Sequence, residues 1–146
     1  MKKRNMLEKY ELDGKNRANL FTPHDCIIKE VKIENDFLVF IFEDDISYHD
    51  SIKYHKDNIK SLIIRYHLID GFNVYKYNFK SLMKKEGYFL ISNEKFLRMS
   101  GQRLEYLYEY VGFNSVVVEL SNILLNVSSD YVIYEWLDWL GYTFKY

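Results

Sequence analysis

Four histidines, one cysteine and several carboxylates are the side chains here that could do chemistry. His24 and Asp25 are adjacent. Tyr48-His49-Asp50 is followed by His55, and His67 stands apart. His24, Asp25, His49, Asp50 and His55 together would suit zinc or a mid-series metal, because imidazole and carboxylate ligands favour such ions. A small metal-dependent hydrolase is the enzyme reading that follows. Metal ligands need fixed angles and an outer shell of hydrogen bonds. His49 and His55 lie six positions apart in a polar stretch with no rigid element to orient them, so ordinary loop and strand histidines are the simpler expectation. Cys26 would need a neighbouring base to become a nucleophile. It opens an alternating segment, where a free cysteine behaves as a small hydrophobe. There is no Gly-x-Ser-x-Gly elbow and no glycine-rich phosphate loop. No catalytic, cofactor-binding or metal-ligating residues are therefore assigned.

A second constellation is acidic and aromatic. The net charge is −1 but unevenly spread: no Lys or Arg lies between Arg103 and Lys145, while Glu105, Glu109, Glu119, Asp130, Glu135 and Asp138 fall in that third. Either this third is largely buried, or it presents an acidic, aromatic face to a basic protein. On the second reading Glu105, Tyr106, Tyr108, Glu109, Tyr110, Trp136 and Trp139 are the partner-binding candidates, since aromatic residues dominate contact energy at interfaces. A third grouping, Tyr75, Lys76, Tyr77 and Lys80, interleaves aromatic and basic residues as single-stranded nucleic-acid binders do. The slightly negative total charge argues against that use.

The elements that would position these residues are read from period and punctuation. Residues 1–20 form a polar lead-in with a short helix over Met6 to Leu12, ended by Asp13-Gly14. Residues 21–146 form a single domain. Cys26 to Glu34 alternates as a half-buried strand, and Asn35-Asp36 turns it into Phe37 to Phe42, apolar on both sides. Glu43 to Asn58 reads as a long loop. Asp70-Gly71 between two alternating segments reads as a hairpin turn. Tyr88 to Ile91 is a short strand, and Ser92-Asn93-Glu94 caps a helix through Met99. Leu104 to Val111 fits helical spacing and strand spacing alike; the following Gly112-Phe-Asn-Ser turn and the Val116-Val117-Val118 run favour strand. Val116 to Leu125 continues as strand with a bulge at Ser121-Asn122, and Tyr131 to Leu137 is the last strand.

Composition agrees. Aromatic residues make up 18% of the 146, and Ala18 is the sole alanine. Alanine is the best helix former, whereas aromatic and β-branched side chains suit a pleated, half-buried surface. Low-GC ancestry would also suppress alanine. The fold expected is mainly β, or α+β: an antiparallel meander of seven to nine strands forming an open barrel or sandwich, with one or two short helices. Met1 to Arg17 is charged and no apolar run is long enough to span a bilayer, so no signal or membrane segment is expected. With one cysteine, that points to the cytoplasm. The 104–144 strands lack Lys gatekeepers, which predicts an unprotected edge and a homodimer.

His24-Asp25 matches the dipeptide of the metal-dependent phosphohydrolases named for it, but those are helical. The opening His24-Asp-Cys-Ile-Ile-Lys-Glu-Val-Lys-Ile33, with Phe37-Leu-Val-Phe-Ile-Phe42, resembles small β-rich proteins of low-GC bacteria, some thought to be immunity proteins. That resemblance covers residues 24–42. It implies stoichiometric neutralisation of a cognate toxin, without catalysis or cofactor. The function expected is thus a non-enzymatic, cytosolic protein-binding domain.

Overall fold

The computed structural model describes residues 5–15, 20–53, 58–79 and 85–138. Eight strands form one antiparallel sheet: β1 (Asn5–Glu11), β2 (Cys26–Glu34), β3 (Phe37–Phe42), β4 (Ile59–Asn78), β5 (Gly87–Ile91), β6 (Leu104–Gly112), β7 (Ser115–Leu120) and β8 (Ile123–Asp138). Two short helices, α1 (Asp50–Lys53) and α2 (Asn93–Arg98), complete the elements. The sheet order is β1-β8-β7-β6-β2-β3-β4-β5, and β8 also pairs with β4. That extra pairing closes β8-β7-β6-β2-β3-β4 into a ring. β1 and β5 lie outside it as edges.

The two long strands make the shape. The first part of β4, from Ile59 to Tyr66, pairs with β8 from Val132 to Asp138; its second part, from Gly71 to Lys76, pairs with β8 from Ile123 to Ser128. Register shifts between Tyr66, Leu68 and Gly71 mark the bend between the two parts. Asp70-Gly71 is therefore a kink inside one strand and does not close a hairpin. Gly71 takes φ +96°, as expected for the dipeptide, but the arms on either side of it bond to β8 instead of to each other. Twenty residues with alternating apolar positions can run on past the turn signal because β8 offers sixteen to pair with.

Other turns behave as their residues dictate. Asn35 and Asp36 both have positive φ, 49° and 66°, which a two-residue turn of the right twist requires. The β2–β3 hairpin follows, with Glu34 opposite Phe37. Ser92 Oγ accepts the Lys95 backbone N–H and caps α2 as read. Ser121-Asn122 is a tight turn between β7 and β8, with Leu120 opposite Ile123, where a bulge was expected. The Ser128-Ser129-Asp130 stretch, read as a break, is interior to β8. The Met6 to Leu12 helix is also replaced by strand: β1 pairs with β8 from Glu11 opposite Tyr131 to Asn5 opposite Leu137. An exposed edge strand needs only one apolar side, and Tyr10 packs on the core while Leu7 stays open.

The core is aromatic as well as aliphatic. Phe40, Phe42, Tyr66, Tyr106, Tyr134 and Trp136 are fully buried among Ile, Leu and Val from every strand of the ring. Phe40 meets Tyr66 and Tyr106 edge-on at 5.9 and 6.1 Å between ring centres, a geometry that aligns ring edges with π faces. No helix among the described residues is long and apolar enough to cross a membrane.

Candidate functional site

One irregularity in β6 decides which of its residues face out. Opposite β7, the register runs Tyr106–Leu120 and then Tyr108–Glu119, so Leu107 is an extra residue. Such a bulge reverses the alternation beyond it. Tyr106 and Glu109 consequently both point inward, three positions apart, while Tyr108 and Tyr110 point outward. The expected partner-binding set is thereby split. Tyr106 and Trp136 are in the core with no exposed area, so neither can touch a partner on the surface, and Glu109, 6% exposed, opens only into the cavity beside β6. Tyr108 and Tyr110 are exposed at 48% and 54%, and Glu105 is half-buried beside them. Trp139 lies outside the described residues.

The buried members form a polar cluster. Thr22 donates its hydroxyl to Glu109 Oε2, and Tyr106 OH donates to Oε1 at 3.3 Å. Tyr134 OH lies 3.5 Å from the same oxygen and gives a shorter bond, 2.6 Å, to the Phe21 carbonyl. Tyr66 and Tyr106 hydroxyls are 2.8 Å apart. Burial pushes Glu109 above the ordinary carboxyl value, against the lowering effect of its hydrogen bonds from Thr22, Tyr106 and Tyr134. Burial likewise raises all three tyrosines far above their usual value, so their hydroxyls stay protonated donors. Residues 20–25 are thus strapped along the open side of β6, and Asp25 N–H completes the strap by donating to the Tyr106 carbonyl at 2.8 Å. Between strap and strand is a cavity of about 340 Å³ lined by Leu20, Thr22, Tyr108, Glu109, Tyr110 and Val111.

The outward members belong to a larger surface. Directly opposed residues in antiparallel pairs share a face. Following the register gives one row across five strands: Tyr108, Glu119, Leu124, Tyr75 and Leu90. The row on one side holds Tyr110, Val117, Asn126 and Asn73; the other holds Tyr77 opposite Tyr88. Phe79 continues it, with its ring 4.9 Å from that of Tyr77. Leu90 is 66% exposed and Phe79 65%. On the stretches that carry these rows (β6, β7, Ile123 to Ser128 of β8, Gly71 to Asn78 of β4, and β5) the charged residues at outward positions are Glu105 and Glu119, with no Lys or Arg among them. Tyr110 donates its hydroxyl to Glu119.

The other outer face, on β1, the second half of β8, the first half of β4, β3 and β2, is built differently. Lys9, Lys32 and Arg65 alternate there with Glu11, Glu34 and Glu135, and ion pairs join Arg65 to Glu135 at 2.7 Å and Lys32 to Glu34 at 2.8 Å. His67 meets Asp130 at 2.7 Å. The acidic third therefore does not form one face: Glu105 and Glu119 flank the tyrosines, Glu109 is inside, and Asp130 and Glu135 pair with His67 and Arg65 of β4.

The remaining candidates are scattered. His24 Nδ1 is 3.0 Å from Asp25 Oδ2, both exposed, and His49 stacks on Tyr48 at 4.1 Å. Asp50 opens α1. Among the described residues no three His, Cys, Asp or Glu side chains form a metal-holding group; His55 lies outside them. Cys26 is buried, which pushes its thiol up to about 12. Tyr75 and Tyr77 face outward, but Lys76 between them faces the other side, and Lys80 lies outside the described residues. Tyr75 and Tyr77 thus do not share a face with Lys76. Within 104–138, β7 and β8 are paired on both sides, whereas β6 pairs with β2 only from Leu104 to Tyr106 and from Leu107 to Gly112 has no strand beside it on that side among the described residues; β1 and β5 end the sheet.

Tyr75, Tyr77, Tyr88 and Leu90 were not joined to Tyr108 and Tyr110 by sequence reasoning, although each strand's alternation was visible. Thr22, Tyr66 and Tyr134 carried no local signal at all. No protein-family model matches the chain, and neither a curated protein nor a solved structure matches it.

Proposed function

We propose that this chain is a non-catalytic protein-binding domain whose contact surface is the aromatic outer face of β6, β7, β8, β4 and β5. One observation carries the reading: an outward row of Tyr108, Glu119, Leu124, Tyr75 and Leu90 across five strands, on a face whose charged strand residues among those described are the carboxylates Glu105 and Glu119. Soluble folds seldom leave so large an apolar surface open without a use for it. Rigid tyrosines on strands supply contact area at low entropic cost and are frequent binding hot spots. The carboxylates select a partner with a basic surface. The resemblance of residues 24–42 to small β-rich proteins, some thought to be immunity proteins, fits the same reading, with a toxin from the same locus as the partner and occlusion as the mechanism.

The test compares baits. Wild-type protein, Tyr108→Ala, Tyr75→Ala, Leu90→Ala and, from the opposite face, Lys9→Ala are used to capture proteins from source-cell lysate and secreted fraction, quantified by mass spectrometry. A stoichiometric basic partner held by wild type and Lys9→Ala, but bound about tenfold or more weakly by the face variants, supports the reading. Equal retention by all five baits, or no stoichiometric partner, refutes it.

A further inference from the structure

We infer that the cavity between the residue 20–22 strap and β6 receives a guanidinium group, the Arg side chain of the partner seated on the aromatic face. The inference rests on the protein-binding reading for its occupant, but the chemistry of the cavity stands by itself.

Glu109 lines the cavity and is 6% exposed, so it is a built part of the site and not a solvated surface acid. A carboxylate offers about four acceptor positions. Thr22, Tyr106 and the Glu109 backbone N–H take up to three, and Tyr134, 3.5 Å away, directs its hydrogen to the Phe21 carbonyl. Acceptor capacity therefore remains for a donor arriving from the cavity. Among the described residues no Lys or Arg lines the cavity to supply one. At its wall Tyr108 and Tyr110 stand with ring centres 5.1 Å apart, and Glu119 holds the Tyr110 hydroxyl. A buried carboxyl and two aromatic rings, one of them bonded through its hydroxyl to a further carboxylate, select a cation. A guanidinium suits the place better than an ammonium: it is planar, stacks on aromatic rings, and sheds water more readily. The same two tyrosines begin the outward rows, so a side chain from a partner on that face needs only to reach over the edge of β6.

Burial disfavours the ionised form of Glu109, and an arriving cation would favour it. Binding is therefore coupled to proton release and strengthens as pH rises through the raised Glu109 value.

The probe is propylguanidinium chloride, titrated into the full chain against sodium chloride of equal ionic strength, with binding followed by NMR. Expected are saturable shifts centred on Thr22 and Tyr108–Val111, an affinity that increases with pH, and a loss of about tenfold in Glu109→Gln, the scale of one charge-assisted hydrogen bond. Leu20→Trp fills the mouth with Glu109 intact and should abolish the shifts, which covers the case in which Glu109→Gln does not fold. Shifts that fail to saturate, that scatter over the protein, or that persist unchanged in Leu20→Trp overturn the inference. The two readings fail separately. A cavity indifferent to guanidinium in a protein whose partner is still lost on Leu90→Ala removes the Arg site alone. Guanidinium binding in a protein whose partner ignores Tyr75 and Leu90 removes the face and keeps the cavity.

Discussion

Tyr106→Phe and Tyr66→Phe each delete one buried hydroxyl, yet they should differ sharply in cost. The rings keep their packing in both variants, because the contacts of Tyr106 with Phe40 and Phe42, at 6.1 and 5.8 Å, involve the ring alone. Tyr106 OH stands between two groups, 2.8 Å from Tyr66 OH and 3.3 Å from Glu109 Oε1. Removing it leaves the fully buried Tyr66 hydroxyl without that partner and takes a donor from Glu109. An orphaned buried polar group costs about 1–3 kcal/mol and a lost hydrogen bond about 1, so Tyr106→Phe should cost about 2–4 kcal/mol. Tyr66→Phe removes the end of the chain, and Tyr106 keeps Glu109; its cost should be about 0.5–1.5 kcal/mol. In the double variant the orphan is gone. It should be more stable than Tyr106→Phe alone, with a coupling of about 1–2 kcal/mol. Urea unfolding followed by tryptophan fluorescence reads this out: at an m-value near 2 kcal/mol/M, Tyr106→Phe lowers the midpoint by roughly 1–2 M. If adding Tyr66→Phe to Tyr106→Phe lowers the midpoint further, the polar chain is not a coupled unit and the reasoning is wrong.

Three further outcomes follow from the same structure. Burial raises the folded-state pKa of Glu109 above its ordinary value near 4.5, so its contribution to stability is present below that pH and lost as pH rises through the raised value; Glu109→Gln should gain on wild type in thermal midpoint across that window, and parallel midpoints at all pH values would contradict the assignment. With its thiol pushed up to about 12 by burial, Cys26 should resist iodoacetamide at pH 8 in the folded protein and react on unfolding in denaturant; rapid labelling of the native chain would show the thiol is accessible. Ser92→Ala removes the side chain that accepts Lys95 N–H at the start of α2 and should cost about 1 kcal/mol in denaturant unfolding, while Ser92→Asp should cost little.

The residue pattern alone determined the class of the fold and most of its strands. Alternation over Cys26 to Glu34, the Asn35-Asp36 turn, the Gly112-Phe-Asn-Ser turn and the Ser92 cap are local: each depends on side chains within a few positions, where backbone sterics and short hydrogen bonds dominate. The errors came wherever a distant segment competed with a local signal. Asp70-Gly71 has the chemistry of a hairpin turn, but β8 is long enough to pair both arms, and a continuous ladder satisfies more backbone groups than a turn would. Met6 to Leu12 could be a helix in isolation and becomes a strand because the edge of β8 is available.

The candidate site was legible by residue type and illegible by placement. That residues 104–139 hold aromatic and acidic side chains was plain. Which of them face out depends on Leu107, a single extra residue that no spacing rule marks, because a bulge exists only relative to its partner strand. The rows joining Tyr108 to Leu90 likewise depend on five strands' mutual register, set by long-range pairing. Glu109, Thr22, Tyr66 and Tyr134 are far apart in sequence and meet only inside the closed ring. Period and composition thus fixed which residues are available to each face of a strand; tertiary pairing alone decided which faces became core, cavity and open surface, since burial is a property of the assembled sheet and not of any one strand.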